Sequence, residues 1–219
     1  MSNWQLILTA QGKQCWQVAE EGLPYAELLS NKLSSAEPST FIVTDEGHDF
    51  SERISQRIIL SPMTKGALCT ALFAIDSLEP DKPLLIAPGD FSLKPDIRFG
   101  LLEKFRDSSI QAFSVTMESS NPRFSFARID ENQRILEYCE KDPVSNVATT
   151  GIFGFKTAAD FVLAATWVLK NNISLNGRFF VSSAVNYFIM NGKRVENLHL
   201  NLEPGDFLKN WSSNEDRQN

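Results

Sequence analysis

The stretch Leu84-Leu85-Ile86-Ala87-Pro88-Gly89-Asp90 sets the narrowest limits on how this chain can fold. A short continuous apolar run that meets turn residues describes a strand buried on both faces, as in a sheet covered by helices. Asp90 then falls where the strand ends, and open α/β sheets hold ligands beyond the carboxyl ends of their strands. Gly89 and Asp90 equally describe an ordinary turn, because both residue types favour one. The stretch alone does not choose between a turn and a site.

Its neighbours alternate between strand and helix patterns. Leu6-Ile7-Leu8, Phe41-Ile42-Val43-Thr44 and Ile58-Ile59-Leu60 read as strands. From Thr64 to Leu78, apolar Leu68, Leu72 and Ile75 recur at spacings of three and four, one face of a helix that Thr64 would cap. Leu101 to Phe105 reads as a helix fragment and Ala112 to Met117 as a strand. Phe124 to Ile129 and Ile135 to Cys139 form a hairpin about Asp130-Glu131-Asn132, an antiparallel excursion beside the sheet. Thr150 to Phe155 is a further strand. Ala158 to Leu169 is an amphipathic helix closed by Asn171-Asn172, Phe179 to Met190 a second helix, and Leu198-His199-Leu200 a last strand. Asn31 to Thr40, polar with Pro38, reads as a loop. The sum is α/β with a mixed sheet, expected as one domain over residues 1–211 with a polar tail at 212–219.

The formal net charge of −6 argues against a nucleic-acid or membrane-surface partner held by a broad basic face. No apolar run approaches the roughly 18 residues of a membrane span, and the first residues lack the pattern of a signal peptide. Cys15, Cys69 and Cys139 are odd in number and widely spaced, which favours reduced thiols in a cytoplasmic protein. None has a Cys or His at zinc-ligand spacing.

Three groups of residues carry candidate chemistry. Lys65-Gly66 stands at a helix start, where free backbone N–H groups and a positive dipole end meet a glycine that lets a flat or anionic ligand approach. It equally describes a plain helix start. Asp90 is a carboxylate placed to hold a hard divalent cation through oxygen. Glu140-Lys141-Asp142-Pro143 follows the hairpin and precedes Thr150-Gly151. A lysine among acidic neighbours is a solvated ion pair on a surface and a point charge for phosphate in a cleft.

Taken in chain order, a set of segments goes beyond these generic readings. It comprises Thr64 to Leu72, Leu84 to Asp90, Glu140-Lys141, Ala148 to Phe155, Asn176-Gly177-Arg178-Phe179-Phe180, and Asn186. Over roughly residues 41 to 211 the set resembles the sugar-phosphate nucleotidyltransferase family. The resemblance implies a Rossmann-like domain of GT-A type. It also implies transfer of a nucleotidyl group from a nucleoside triphosphate to a sugar phosphate, with Mg²⁺ and release of pyrophosphate, as in nucleotide-sugar synthesis for surface polysaccharide. By that resemblance Asp90 would be catalytic and bind the metal, and Lys65 and Gly66 would lie against the nucleotide. Glu140 and Lys141 would face the sugar phosphate, with Thr150, Gly151 and Asn176 around the sugar.

One departure concerns the N-terminus. Active members follow the first strand with a loop of the type G-x-G-x-R and then a Pro-Lys pair, whose amides and cations hold the triphosphate. Here the matching stretch, Ala10-Gln11-Gly12-Lys13-Gln14-Cys15-Trp16, has one glycine and no arginine, and Tyr25 follows Pro24 where lysine is expected. Gly12 is left as the nucleotide-binding glycine and Lys13 as the catalytic cation. Losing a cation that acts on a transferring phosphoryl group costs at least about 10²-fold in rate. The segment before Phe41 is also short, so a helix closing over substrate would be missing. Two function classes follow: a divergent transferase, or an inactive relative that binds a nucleotide, a sugar ligand or a partner enzyme. The expected partners are a nucleoside triphosphate and a sugar phosphate or nucleotide-sugar, with neither nucleic acid nor membrane.

Overall fold

The structure, a computed structural model, describes residues 4–18, 22–34, 39–45, 57–132 and 134–209. The chain opens with β1 (Gln5–Thr9), α1 (Tyr25–Ser34), β2 (Ser39–Thr44), β3 (Arg57–Leu60) and α2 (Ala67–Leu72). It continues through β4 (Leu84–Pro88), β5 (Phe91–Leu93), α3 (Arg98–Arg106) and β6 (Ala112–Glu118). The second half holds β7 (Ser125–Ile129), β8 (Ile135–Glu140), β9 (Val147–Phe155), α4 (Ala158–Lys170), α5 (Val181–Met190), β10 (Val195–Leu200) and β11 (Phe207–Lys209).

The main sheet runs β10-β6-β9-β4-β1-β2-β3, with the β7–β8 hairpin attached to β9. β3, β2, β1 and β4 are parallel, β9 is antiparallel to β4 and β6, and β10 is parallel to β6. Both faces are buried, which explains the unbroken apolar runs. Ile7 and Ile86 enter the core under α2, α4 and α5, while Leu6, Leu8, Leu85 and Ala87 enter the core under α1 and α3. Successive strand residues point to opposite faces, so a run without polar gaps is what a doubly covered strand requires.

Thr64 does not cap α2; the capping position is Gly66, and α2 has six residues followed by a 3-10 turn at Ile75–Ser77. The Thr64 hydroxyl instead meets the Thr70 hydroxyl at 2.6 Å and donates to Gln11 Oε1 at 2.9 Å. A helix, α1, also stands before β2, and it covers residues 31–34 of the expected loop. Ala26, Leu29 and Leu33 recur at helical spacing and are buried. The sequence spacing also misses β5 and β11, which form a separate antiparallel pair. The expected tail at 212–219 lies outside the described residues. Among the described residues no helix is long and apolar enough to cross a membrane. The three cysteines are free.

Candidate functional site

Because β1, β2 and β4 run parallel, their carboxyl ends meet at one edge of the sheet. Thr9 leads there into the Gln11–Lys13 loop, Thr44 into Asp45, and Pro88 into Gly89-Asp90. The antiparallel β9 brings Thr149, Thr150 and Gly151 to the same edge, β8 ends there at Glu140, and the start of α5 adds Ser182. Together they line a cleft of about 780 Å³, within the range of small-molecule and cofactor sites.

The structure gathers Gly12, Lys13, Gly66, Asp90, Glu140, Lys141, Thr150 and Gly151 along this cleft. Lys65 and Asn176 do not line it, and both are exposed. Lys65 contributes its carbonyl to the Phe179 N–H at 2.8 Å, while Asn176 sits in the turn that ties Leu175 to Arg178. Gly66 has a reason for being glycine apart from any ligand. Its φ is 103°, and an added Cβ would lie 2.4 Å from the Phe179 carbonyl oxygen. Gly151 packs on the Pro88 ring at the end of β4. The buried Thr150 hydroxyl donates to the Val115 carbonyl at 3.1 Å, where the β6–β9 register slips, so it is spent within the sheet.

The first loop is held by its own contacts. Gln11 donates to Ser61 Oγ at 2.6 Å and to the Pro62 carbonyl at 2.8 Å, and its Oε1 accepts from Thr64 N and Thr70 Oγ1. The Gly12 N–H donates to Asp45 Oδ1 at 2.8 Å. Cys15 beneath it is buried, and burial pushes its thiol well above the usual range, with Asp90 adding to the rise. That makes it a packing residue rather than a nucleophile.

Glu140 sits between two hydroxyls; Ser125 and Ser182 both donate to its Oε2, Ser182 at 2.9 Å. Burial raises its carboxyl above the usual range, against the opposing pull of the two serines, Lys141 and Lys209. Lys141 holds a left-handed backbone, φ 55°.

Several cleft residues escape sequence reasoning. Asp45, Arg123, Arg178 and Lys209 all line it. Arg178 stands inside the segment from which the resemblance draws Asn176 alone as a site residue, and Lys209 belongs to a three-residue strand too short to show a period. With Lys13 and Lys141 they bring five cationic side chains against Asp45, Asp90 and Glu140. No salt bridge among the described residues engages Lys13, Lys141 or Arg178.

Asp90 does carry an ion pair. Its Oδ1 lies 3.1 Å from Lys209 Nζ, and the two side chains are only 18% and 17% exposed. Among the described residues no three His, Cys, Asp or Glu side chains gather to hold a metal ion. Asp90 supplies a hard oxygen donor, but an ammonium already faces it. As they stand, these residues do not fit a protein-held Mg²⁺.

No protein-family model matches the chain, and no curated protein sequence does. Solved structures do resemble it. One is a Bacillus anthracis protein assigned as a glucose-1-phosphate thymidylyltransferase, in complex with sucrose, at TM-score 0.71 and 19% identity over 94% of this chain and 89% of that one. Another is a nucleoside-diphosphate-sugar pyrophosphorylase from Vibrio cholerae RC9, at TM-score 0.74 and 14% identity over 96% of both chains. At such identities the likeness establishes the fold, and the chain has the Rossmann-like, mixed-sheet fold of these nucleotidyltransferases.

Proposed function

We propose that this cleft binds a nucleoside triphosphate and a sugar phosphate, and that the chain transfers the nucleotidyl group between them with release of pyrophosphate. The observation that carries this reading is the cleft's charge. Among the described residues five cations face three carboxylates, in a chain whose net charge is −6, at the strand ends where this fold receives ligands. Lys13 lies on the first-loop side and Lys141 on the hairpin side, so anionic groups of two substrates can be held at once. Glu140, oriented by Ser125 and Ser182, is placed to accept from a sugar hydroxyl. Mg²⁺ belongs to the transfer reading: pyrophosphate release that requires it supports a metal role, and release untouched by EDTA removes one.

A second reading, binding without turnover, is favoured by the Gly12–Asp45 contact. An amide that would serve a triphosphate is engaged by a carboxylate, and that carboxylate repels phosphate. The two readings separate by experiment. Thermal-shift screening of nucleoside triphosphates, nucleotide-sugars and sugar phosphates should raise the unfolding midpoint with members of these classes. Pyrophosphate release from a panel of triphosphate and sugar 1-phosphate pairs, abolished by Asp90→Ala, establishes transfer. Shifts without turnover establish the second reading, and no shift with any of them sinks both.

A further inference from the structure

The pair of β5 and β11 is six residues of sheet beside the main one, yet it decides which charge stands at Asp90. The two strands are antiparallel, with Phe207 opposite Leu93, Leu208 opposite Ser92 and Lys209 opposite Phe91. Phe207 packs against Phe91 at 5.0 Å between ring centroids and against Phe124 at 6.0 Å, and Lys94 N donates to the Asp206 carbonyl at 2.8 Å. With the register fixed by these contacts, the residue opposite Phe91 arrives beside Asp90. That residue is Lys209, and both side chains face the cleft. Its positive charge is also felt by Glu140 on the hairpin side and by Cys15 below.

We propose that Lys209 is the built-in cation of the site: it occupies the place beside Asp90 that a divalent ion would take, and it meets the ligand's phosphate there, so anion binding in this cleft needs no divalent metal. The proposal rests on the anion-binding reading of the cleft given above. An ammonium is a compact point charge suited to phosphate, and a strand tethers this one at contact distance from a little-exposed carboxylate. A divalent ion approaching Asp90 would break that pair and meet the repulsion of the displaced ammonium. Mg²⁺, which gives up its water reluctantly, is poorly equipped to do so.

The test uses two probes that need neither base nor sugar: Mn²⁺ with and without pyrophosphate, followed by electron paramagnetic resonance, and inorganic pyrophosphate, titrated calorimetrically in EDTA. Wild-type protein should show no Mn²⁺ site that Asp90→Asn removes. With pyrophosphate present to complete the oxygen ligands that Asp90 alone cannot supply, Lys209→Met should gain one, and the Lys209→Met, Asp90→Asn double variant should lose it again. In EDTA, pyrophosphate should bind the wild type, bind Lys209→Met about tenfold or more weakly, and bind Lys209→Arg nearly as well as wild type. Asp90→Asn, which removes the negative charge facing the lysine, should bind at least as tightly as wild type. Circular dichroism and the Lys209→Arg variant control for folding.

A wild-type Mn²⁺ site that depends on Asp90 overturns the proposal. So does Lys209→Met with no new Asp90-dependent Mn²⁺ site in the presence of pyrophosphate, since the lysine would then not hold the ion's place. Pyrophosphate binding that is absent in EDTA, or equal in Lys209→Met, also overturns it. Failure here with nucleotide shifts intact leaves the proposed function standing. Success here without nucleotide shifts removes the nucleotide reading alone.

Discussion

Lys141 keeps a left-handed backbone at φ 55°, a conformation that costs a non-glycine residue roughly 1 kcal/mol. Its amide donates to the Phe124 carbonyl at 3.1 Å, so the hairpin's closing geometry holds it there. Lys141→Gly should therefore raise stability in denaturant by about 1 kcal/mol while weakening sugar-phosphate or pyrophosphate binding several-fold. Lost stability with unchanged affinity would show that the lysine serves the fold. Glu140 yields a pH prediction. A carboxyl whose folded value is raised stabilises the fold below its ordinary value, 4.5, and that contribution is lost as pH rises through the raised value. Glu140→Gln keeps an acceptor for Ser125 and Ser182 without the buried charge. The melting temperature of the wild type relative to this variant should fall as pH rises above about 4.5, and a difference that stays flat or grows would refute the burial. Glu140-Lys141 was legible in the sequence as a constellation. The two serines and the left-handed turn were not, because partners from β7 and α5 meet only after the sheet forms.

At the scale of elements, Asn186 of α5 ties down the hairpin backbone. Asn186 Oδ1 accepts from Tyr138 N at 2.7 Å and Asn186 Nδ2 donates to the Tyr138 carbonyl at 2.8 Å, so a helix residue completes the outer edge of β8. Tyr138 lies two residues before Glu140, which makes this contact the hinge between helix and site. Asn186→Ala should cost about 2 kcal/mol, because two backbone groups lose their partners, and should weaken ligand binding further by loosening Glu140. Asn186→Asp, able to accept but not to donate, should fall between the two, as chemical denaturation would show. Long elements were readable: the buried run of β4 and the three-and-four spacing of α4 survive as expected, within a residue or two at their ends. The failures share a cause. β5 and β11 have three residues each, too few for a period of two to declare itself, and α2 keeps only six residues, starting after the Gly66 cap and giving way to a 3-10 turn at Ile75–Ser77. The short elements carry much of the site's character, since β11 delivers Lys209.

Across the whole molecule, a chain of net charge −6 places, among its described residues, an excess of two positive charges in its cleft. Such an arrangement draws small anions toward the cleft despite the negative total. Composition alone pointed away from polyanion partners without showing where a small anion could bind. That information lies in the topology, which folds residues from both halves of the chain around one sheet edge. Binding held by this excess must weaken with salt, since the Debye length falls from about 10 Å at 0.1 M to about 3 Å at 1 M. Pyrophosphate affinity should drop on the order of tenfold over that range. Asp45→Asn sharpens the test: it keeps an oxygen acceptor for the Gly12 N–H at 2.8 Å but removes one of the three carboxylates. Affinity in low salt should rise several-fold and its salt dependence should steepen. If binding is instead flat with salt and indifferent to Asp45, hydrogen bonds and shape hold the ligand, and the cleft's charge is incidental to what it binds.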